Sequence, residues 1–272
     1  MKYLMRQSLV ILASIFLWQA AQAQDQSVIN EPNSGLWIGV YNKLRMTKKI
    51  YYYSETHLRF RNSLDNNMSF VGRMGQIYNR HGVNFLFNKH FEFTIGPTLV
   101  FNYTPEPGNP DFEKVVLEPR VWHQWLFIMP YMGRVKLYHQ FRFEHRFKRD
   151  NNVGAPFQYT DRYRYKIFAY IPLNKPTLGN KTLFIAPSAE IFLHSGKSIV
   201  ANPMEDFRVY TGLGYILNNN VTFFGGHMWT LGQGRNPAGF QYGQNHIIRL
   251  NVFLTFDLRK RTKRIDEIRL TD

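Results

Sequence analysis

Arginine and glutamate recur at every second position along several stretches of this chain. HQFRFEHRF (139–147) carries Arg142, Glu144 and Arg146, and RYRYK (162–166) carries Arg162, Arg164 and Lys166. LEPR (117–120) carries Glu118 and Arg120, and SETHLRFR (54–61) carries Glu55, Arg59 and Arg61. A spacing of two puts such side chains on one face of a β-strand. Gln124, Glu190, Arg208 and Arg249 fall on the same face of their own stretches. Turned inward in a barrel, this face could act in two ways. A surplus of Arg over Glu makes a basic constriction that favours small anionic solutes. Alternatively, guanidinium and carboxylate groups pair and fill a narrow interior as a structural network. The second reading is preferred.

Other chemistry has weaker support. His194-Ser195 and the pair His227/His246 are the candidates for a lipid hydrolase or deacylase on a barrel wall. Neighbours on a strand face opposite sides, so His194 and Ser195 are poorly placed as a dyad. No pattern joins a Ser, a His and an orienting carboxylate, so no catalytic residue is assigned and a non-enzyme is expected. No His-x-x-x-His pair sits beside a Glu on a helix, and no acidic calcium loop is present, so no metal or cofactor is expected. Gly212/Gly214 and Gly225/Gly226 lack the strand-to-helix context of a phosphate loop and read as bends or close packing.

Long strands must position the charged face. In 91–103, Phe91, Phe93, Ile95, Leu99, Phe101 and Tyr103 alternate with Glu92, Thr94, Gly96, Thr98 and Asn102. The stretches 133–148, 181–194 and 245–258 repeat the pattern, and weaker versions occur at 35–45, 49–62, 113–129, 159–173, 205–218 and 220–232. The stretch 68–87 alternates until Asn79-Arg80-His81-Gly82. About eleven candidates result. Short turns such as Asn88-Lys89 alternate with longer connections at 104–112, 149–157, 195–204 and 232–239. Runs this long exceed the strands of most soluble proteins and suffice to cross hydrocarbon when tilted. Trp37, Tyr51 to Tyr53, Trp122, Trp125, Tyr159, Tyr163 and Trp229 lie near strand ends, where interfacial girdles form. His123, His139 and His145 interrupt rows expected to face lipid, so they belong near the rim or mark errors of register.

The ends agree with export. Lys2 and Arg6 precede an apolar core (8–18) too short to span a bilayer, and Ala21-Gln22-Ala23 supplies a cleavage site near Ala23. With no Cys, disulfides and lipoprotein processing are excluded. The net charge of +15 would suit nucleic acid, but export argues against that partner. The expectation is an all-β protein with a signal peptide at 1–23, a single antiparallel transmembrane β-barrel at 24–258 and a basic periplasmic tail at 259–272. Twelve strands are expected, with ten as the alternative, because bacterial barrels use even numbers with both termini in the periplasm. Expected partners are outer-membrane lipid and the barrel insertion machinery. A soluble periplasmic β-protein holding an apolar ligand is the third reading.

The strand pair GLWIGVYNKLRMTKKIYYYSETHLRFRN (35–62), with LEPRVWHQWLF (117–127), HQFRFEHRF (139–147) and RYRYKIFAYIPL (162–173), resembles an uncharacterised family of Gram-negative outer-membrane β-barrels catalogued as a domain of unknown function. The resemblance covers nearly the whole mature chain. It implies an outer-membrane barrel of about ten to twelve strands, no established activity and no catalytic residues. Phe256 lies near the end of the last strand, where barrels of this kind often finish on an aromatic residue, but here a tail follows.

Overall fold

The computed structural model describes residues 31–199, 202–236 and 239–259, and its regular elements are all strands. In chain order they are β1 (Asn33–Arg45), β2 (Ile50–Arg61), β3 (Arg73–Asn88), β4 (Phe91–Tyr103), β5 (Val115–Ile128) and β6 (Lys136–Lys148). They continue as β7 (Gln158–Pro172), β8 (Thr182–Ile185), β9 (Ser188–Ser195), β10 (Met204–Ile216), β11 (Val221–Asn236) and β12 (Gly239–Asp257). Residues 1–23, assigned to the signal peptide, and the tail beyond Arg259 lie outside the described residues.

Burial follows the alternation of the sequence. In β5, Val116, Glu118, Arg120, Trp122, Gln124, Leu126 and Ile128 are buried, while Val115, Leu117, Val121 and Phe127 are exposed. The same two-sidedness runs round the sheet, so the outer wall is largely apolar and the inner wall largely charged or aromatic.

The sheet closes. Sequential strands pair antiparallel, and β10 pairs with β11. β8 and β9 share one position, each pairing with both β7 and β10. Ala186-Pro187 separates them, and Pro187 has no N–H for a ladder. The run expected at 181–194 is therefore two segments, and twelve segments occupy eleven positions.

β1 and β12 close the ring in parallel, in unbroken register from Asn33↔Asn245 to Arg45↔Asp257. This corrects the wholly antiparallel, even-numbered expectation. An odd number of antiparallel strands leaves the first and last pointing the same way, so their seam must be parallel. β1 consequently starts at the end of the barrel bearing the connections 62–72, 104–114, 149–157 and 196–203, and β12 finishes at the opposite end. At the first end, Asn67 Nδ2 donates to Glu31 Oε2 at 3.3 Å.

The length rhythm holds for most connections. The connection 173–181 is long although it lies at the short-turn end. The loop expected at 232–239 is mostly strand, because β11 runs to Asn236 and β12 resumes at Gly239. β3 is one strand through Asn79–Gly82, with a register shift against β2 at Arg59/Phe60.

Aromatic side chains fill the short-turn half of the lumen. Tyr138 and Phe168 stack at 4.7 Å between ring centroids, and Tyr41 and Phe253 at 4.6 Å. Leu126, Ile128, Tyr170, Phe184, Ile216 and Phe224 belong to the same cluster. Glycines admit these rings: a Cβ on Gly214 would run into Phe184, and one on Gly82 would lie 3.1 Å from the Trp122 ring. Trp37, Tyr53 and Trp122, expected in an outer girdle, instead pack inside. Trp125, Tyr159, Tyr163 and Trp229 alternate with inward positions on the other face.

Candidate functional site

The inward rows of β5, β6 and β7 converge on Glu144. Glu144 is in register with Trp122 on one side and Arg162 on the other. Its Oε1 accepts bonds from Arg80 Nη2 at 2.6 Å and Arg164 Nη1 at 2.9 Å. Its Oε2 accepts from Arg120 Nη1 at 3.0 Å and Arg162 Nη1 at 3.2 Å. One fully buried carboxylate thus holds four guanidinium groups.

The remaining acids extend this arrangement. Glu118 accepts from Arg120 and Arg146 at 2.9 and 2.8 Å. Glu205 accepts from Arg146 at 2.8 Å and from Arg162. Glu190 pairs with Arg164 at 2.7 Å. Glu55 accepts from Arg80 and from Tyr53 Oη, and Arg142 lies 3.8 Å away. Carboxylates bridge successive guanidiniums, so the network runs across the lumen. Charge-assisted bonds of this kind are shorter and stronger than neutral ones, which suits a dry interior.

Of the positions expected from sequence to face inward, all but Arg61 are at least partly buried. Glu55, Glu118, Arg120, Arg142, Glu144, Arg146, Lys166, Glu190 and Arg249 are buried, and Arg59, Arg162, Arg164 and Arg208 are partly buried. Arg142 donates to Gln124 at 2.8 Å and Arg249 to the Tyr41 hydroxyl at 2.9 Å. Arg59 lies over the Trp37 ring at 4.0 Å and donates to Gln76, while Arg208 lies over Phe192 at 4.2 Å. Lys166 sits opposite Glu190 in register, with its ammonium over Phe168 at 4.8 Å. Arg61 stands apart from this set, exposed at the long-connection end.

Two central residues escaped the sequence reading. Arg80 is almost fully buried and ties Glu55 to Glu144, yet it falls where alternation falters. Counting by twos from Gln76 through Tyr78 to Asn84 would have placed it inside. Glu205 has no such signal. A register shift between Met204 and Asp206 accommodates an extra residue there, and such a bulge can re-aim a side chain.

Two cavities adjoin the network. One, of about 30 Å³, lies among Glu55, His57, Gln140, Arg142 and Arg249 and has room for about one water. The other is a vestibule of about 710 Å³ at the long-connection end. Arg61, Gln76, Asn102, Glu118, Arg146 and Lys148 line it from the strands, and Arg149 to Asn152 from a loop. Its wall is tied. Glu113 N donates to Asn151 O at 2.7 Å, and Val153 N donates to Asp111 O at 2.9 Å. Arg149 grips Glu113 through both carboxylate oxygens, and these bonds hold that carboxyl below its usual range. The tie therefore stands at neutral pH and loosens only as pH falls through that lowered value.

The hydrolase candidates are not assembled into a catalytic set. His194 is buried within the lumen and lies 3.2 Å from Asn202 O, whereas Ser195 is exposed and bonds Tyr163 at 3.4 Å. His227 and His246 touch at 3.0 Å on the outer wall. The three interrupting histidines keep register. His139 lies 2.9 Å from the Tyr165 hydroxyl, His145 is 2.6 Å from Asp161, and His123 stacks on Phe143. Among the described residues there is no group of three or more metal-binding side chains placed to share an ion.

A family model described as "Protein of unknown function (DUF2490)" matches residues 34–264. No curated protein and no solved structure matches the chain.

Proposed function

The chain belongs to that family, and we propose that this member is an outer-membrane β-barrel whose lumen is closed by its own side chains. The observation that carries the closed lumen is Glu144 with its four guanidiniums, lying beside the aromatic filling. A permeation pathway needs sites that an ion enters and leaves easily. Here every network carboxylate is held by at least one guanidinium, and the cavity among them has room for about one water.

Two observations support the membrane reading. The outer wall exposes large apolar residues on successive strands, including Val121, Phe127, Phe141, Phe147, Leu213, Phe223 and Leu250. An apolar surface extending round a barrel is unusual for a protein in water and suits lipid. Polar residues on this wall also pair laterally. Tyr52 bonds His81, Asn42 bonds Ser54, and His139 bonds Tyr165. Lateral pairing limits the cost of facing hydrocarbon.

Planar-bilayer recording of the purified, folded protein tests closure. A silent barrel is expected, and steady wild-type conductance would overturn the reading. The parallel seam adds a topological test. The chain contains no Cys, so single-cysteine variants are clean reporters. Pro32→Cys and Leu258→Cys should react with a membrane-impermeant thiol reagent from opposite faces of the outer membrane. Labelling of both from one face would contradict the β1–β12 closure in a membrane. Release of the intact protein by carbonate would instead favour the soluble periplasmic alternative.

A further inference from the structure

The vestibule holds cations that the charge network does not use. Four of its lining residues are basic (Arg61, Arg146, Lys148 and Arg149) and two are acidic (Glu118 and Asp150). Arg146 is committed to Glu118 and Glu205, and Arg149 to Glu113. Among the described residues, Arg61 and Lys148 make no side-chain hydrogen bond or ion pair. Both occupy the last positions of their strands, facing the mouth of the closed interior. Gly75 lets Arg61 lie against the wall, since a Cβ there would come 2.9 Å from Arg61 Cγ.

The floor beneath them is held by its own hydrogen bonds. Arg59 donates to Gln76, Gln76 donates to Asn102 at 2.6 Å, and Asn102 donates to Glu118 at 3.2 Å. This chain of bonds fixes the base of the cavity. Among the described residues, hydrogen-bonding capacity remains in the two cations, the Tyr103 hydroxyl and the Asn152 side chain. Low-dielectric walls strengthen the field of such charges at the mouth. The volume of about 710 Å³ matches a small-molecule site and far exceeds the space a single water needs.

We propose that this vestibule binds a small, soluble, phosphate-bearing anion, gripped by Arg61 and Lys148. The inference rests on the closed floor of the function proposed above but not on the protein's location. A guanidinium matches phosphate oxygens with its planar fork, and an ammonium adds a compact positive charge. The lining strand side chains face the lumen, so a phosphate arriving from solution reaches them, while a lipid headgroup on the outer wall does not.

Calorimetric titration of the full-length protein in neutral detergent tests this, with inorganic pyrophosphate as probe. Saturable binding that weakens as salt rises is expected. Arg61→Gln and Lys148→Gln should each weaken it about tenfold, and the double variant about a hundredfold. Both groups lack partners, so the variants should keep the heat-modifiable gel mobility of a folded barrel. Glucose, which is neutral, should not bind. Absence of saturable pyrophosphate binding would overturn the proposal, as would binding that both variants leave unchanged. Binding of a short-chain phosphatidic acid through these residues without pyrophosphate binding would move the site to lipid and reject the soluble ligand. Bilayer current in wild type together with pyrophosphate binding would reject the closed lumen while leaving the site in place.

Discussion

Glu144→Gln is expected to lower the stability of the folded barrel by about 3–5 kcal/mol, the range for breaking a buried ion pair by removing one partner. The substitution barely changes shape, so packing is not the cause. The loss is electrostatic. Arg80, Arg120, Arg162 and Arg164 share this carboxylate, and their guanidiniums stay charged at any accessible pH. Without Glu144, Arg80 retains Glu55, Arg120 retains Glu118, Arg162 retains Glu205 and Arg164 retains Glu190. Four cations then converge on a neutral amide. Equilibrium unfolding in urea, read by the gel mobility of unboiled samples, gives the midpoint. Glu113→Gln is the control, because its pair with Arg149 lies at the solvent-exposed rim. It should stay near the wild-type midpoint, since exposed pairs add little. If Glu144→Gln also stays there, Glu144 is not the hub of the network.

Trp122→Ala should cost a similar amount, about 3–5 kcal/mol, through the void it leaves. Trp122 is fully buried, and two cations lie over its ring, the Arg80 guanidinium at 4.9 Å and that of Arg142 at 5.2 Å from its centroid. Its Nε1 donates to His81 O at 3.1 Å and Pro97 O at 3.3 Å, which fixes the ring against the wall. Alanine removes both the filling and the aromatic face that accommodates two like charges. Trp122→Phe keeps a face and loses the N–H bonds, so it should cost only about 1–2 kcal/mol. The same unfolding midpoints decide the matter. Equal losses for the two variants would show that the hydrogen bonds, not the plate, carry the effect.

The charged rows were legible because their period is local. Arg142, Glu144 and Arg146 lie two apart, and no other structure sends all three the same way. The same rule placed Glu118, Arg120, Arg162, Arg164 and Lys166 inside. It also put Phe141 and Phe147 on the opposite, apolar face, where the structure leaves them exposed. Aromatic residues were harder to assign. Trp122 and Trp125 look alike in sequence, yet one fills the lumen and the other lines the outer wall. Parity along β5 separates them, and composition does not.

By itself, then, the sequence determined an all-β chain of long two-faced strands and the face on which nearly every charge would lie. Both follow from alternation, which any single strand displays without its neighbours. Tertiary structure alone decided the rest. The parallel seam depends on counting every position in the ring, and Ala186-Pro187 splits one position into two segments. Glu205 enters the network through a bulge, and Arg80 becomes central by joining Glu55 on β2 to Glu144 on β6. Whether facing Arg and Glu residues form a constriction or a packed network depends on distances across a closed ring. Those are set by strand number and stagger, which no local pattern encodes. The opening rows of Arg and Glu share one face of their strands by period alone; only closure brought Arg120, Arg162 and Arg164, with Arg80, onto one carboxylate.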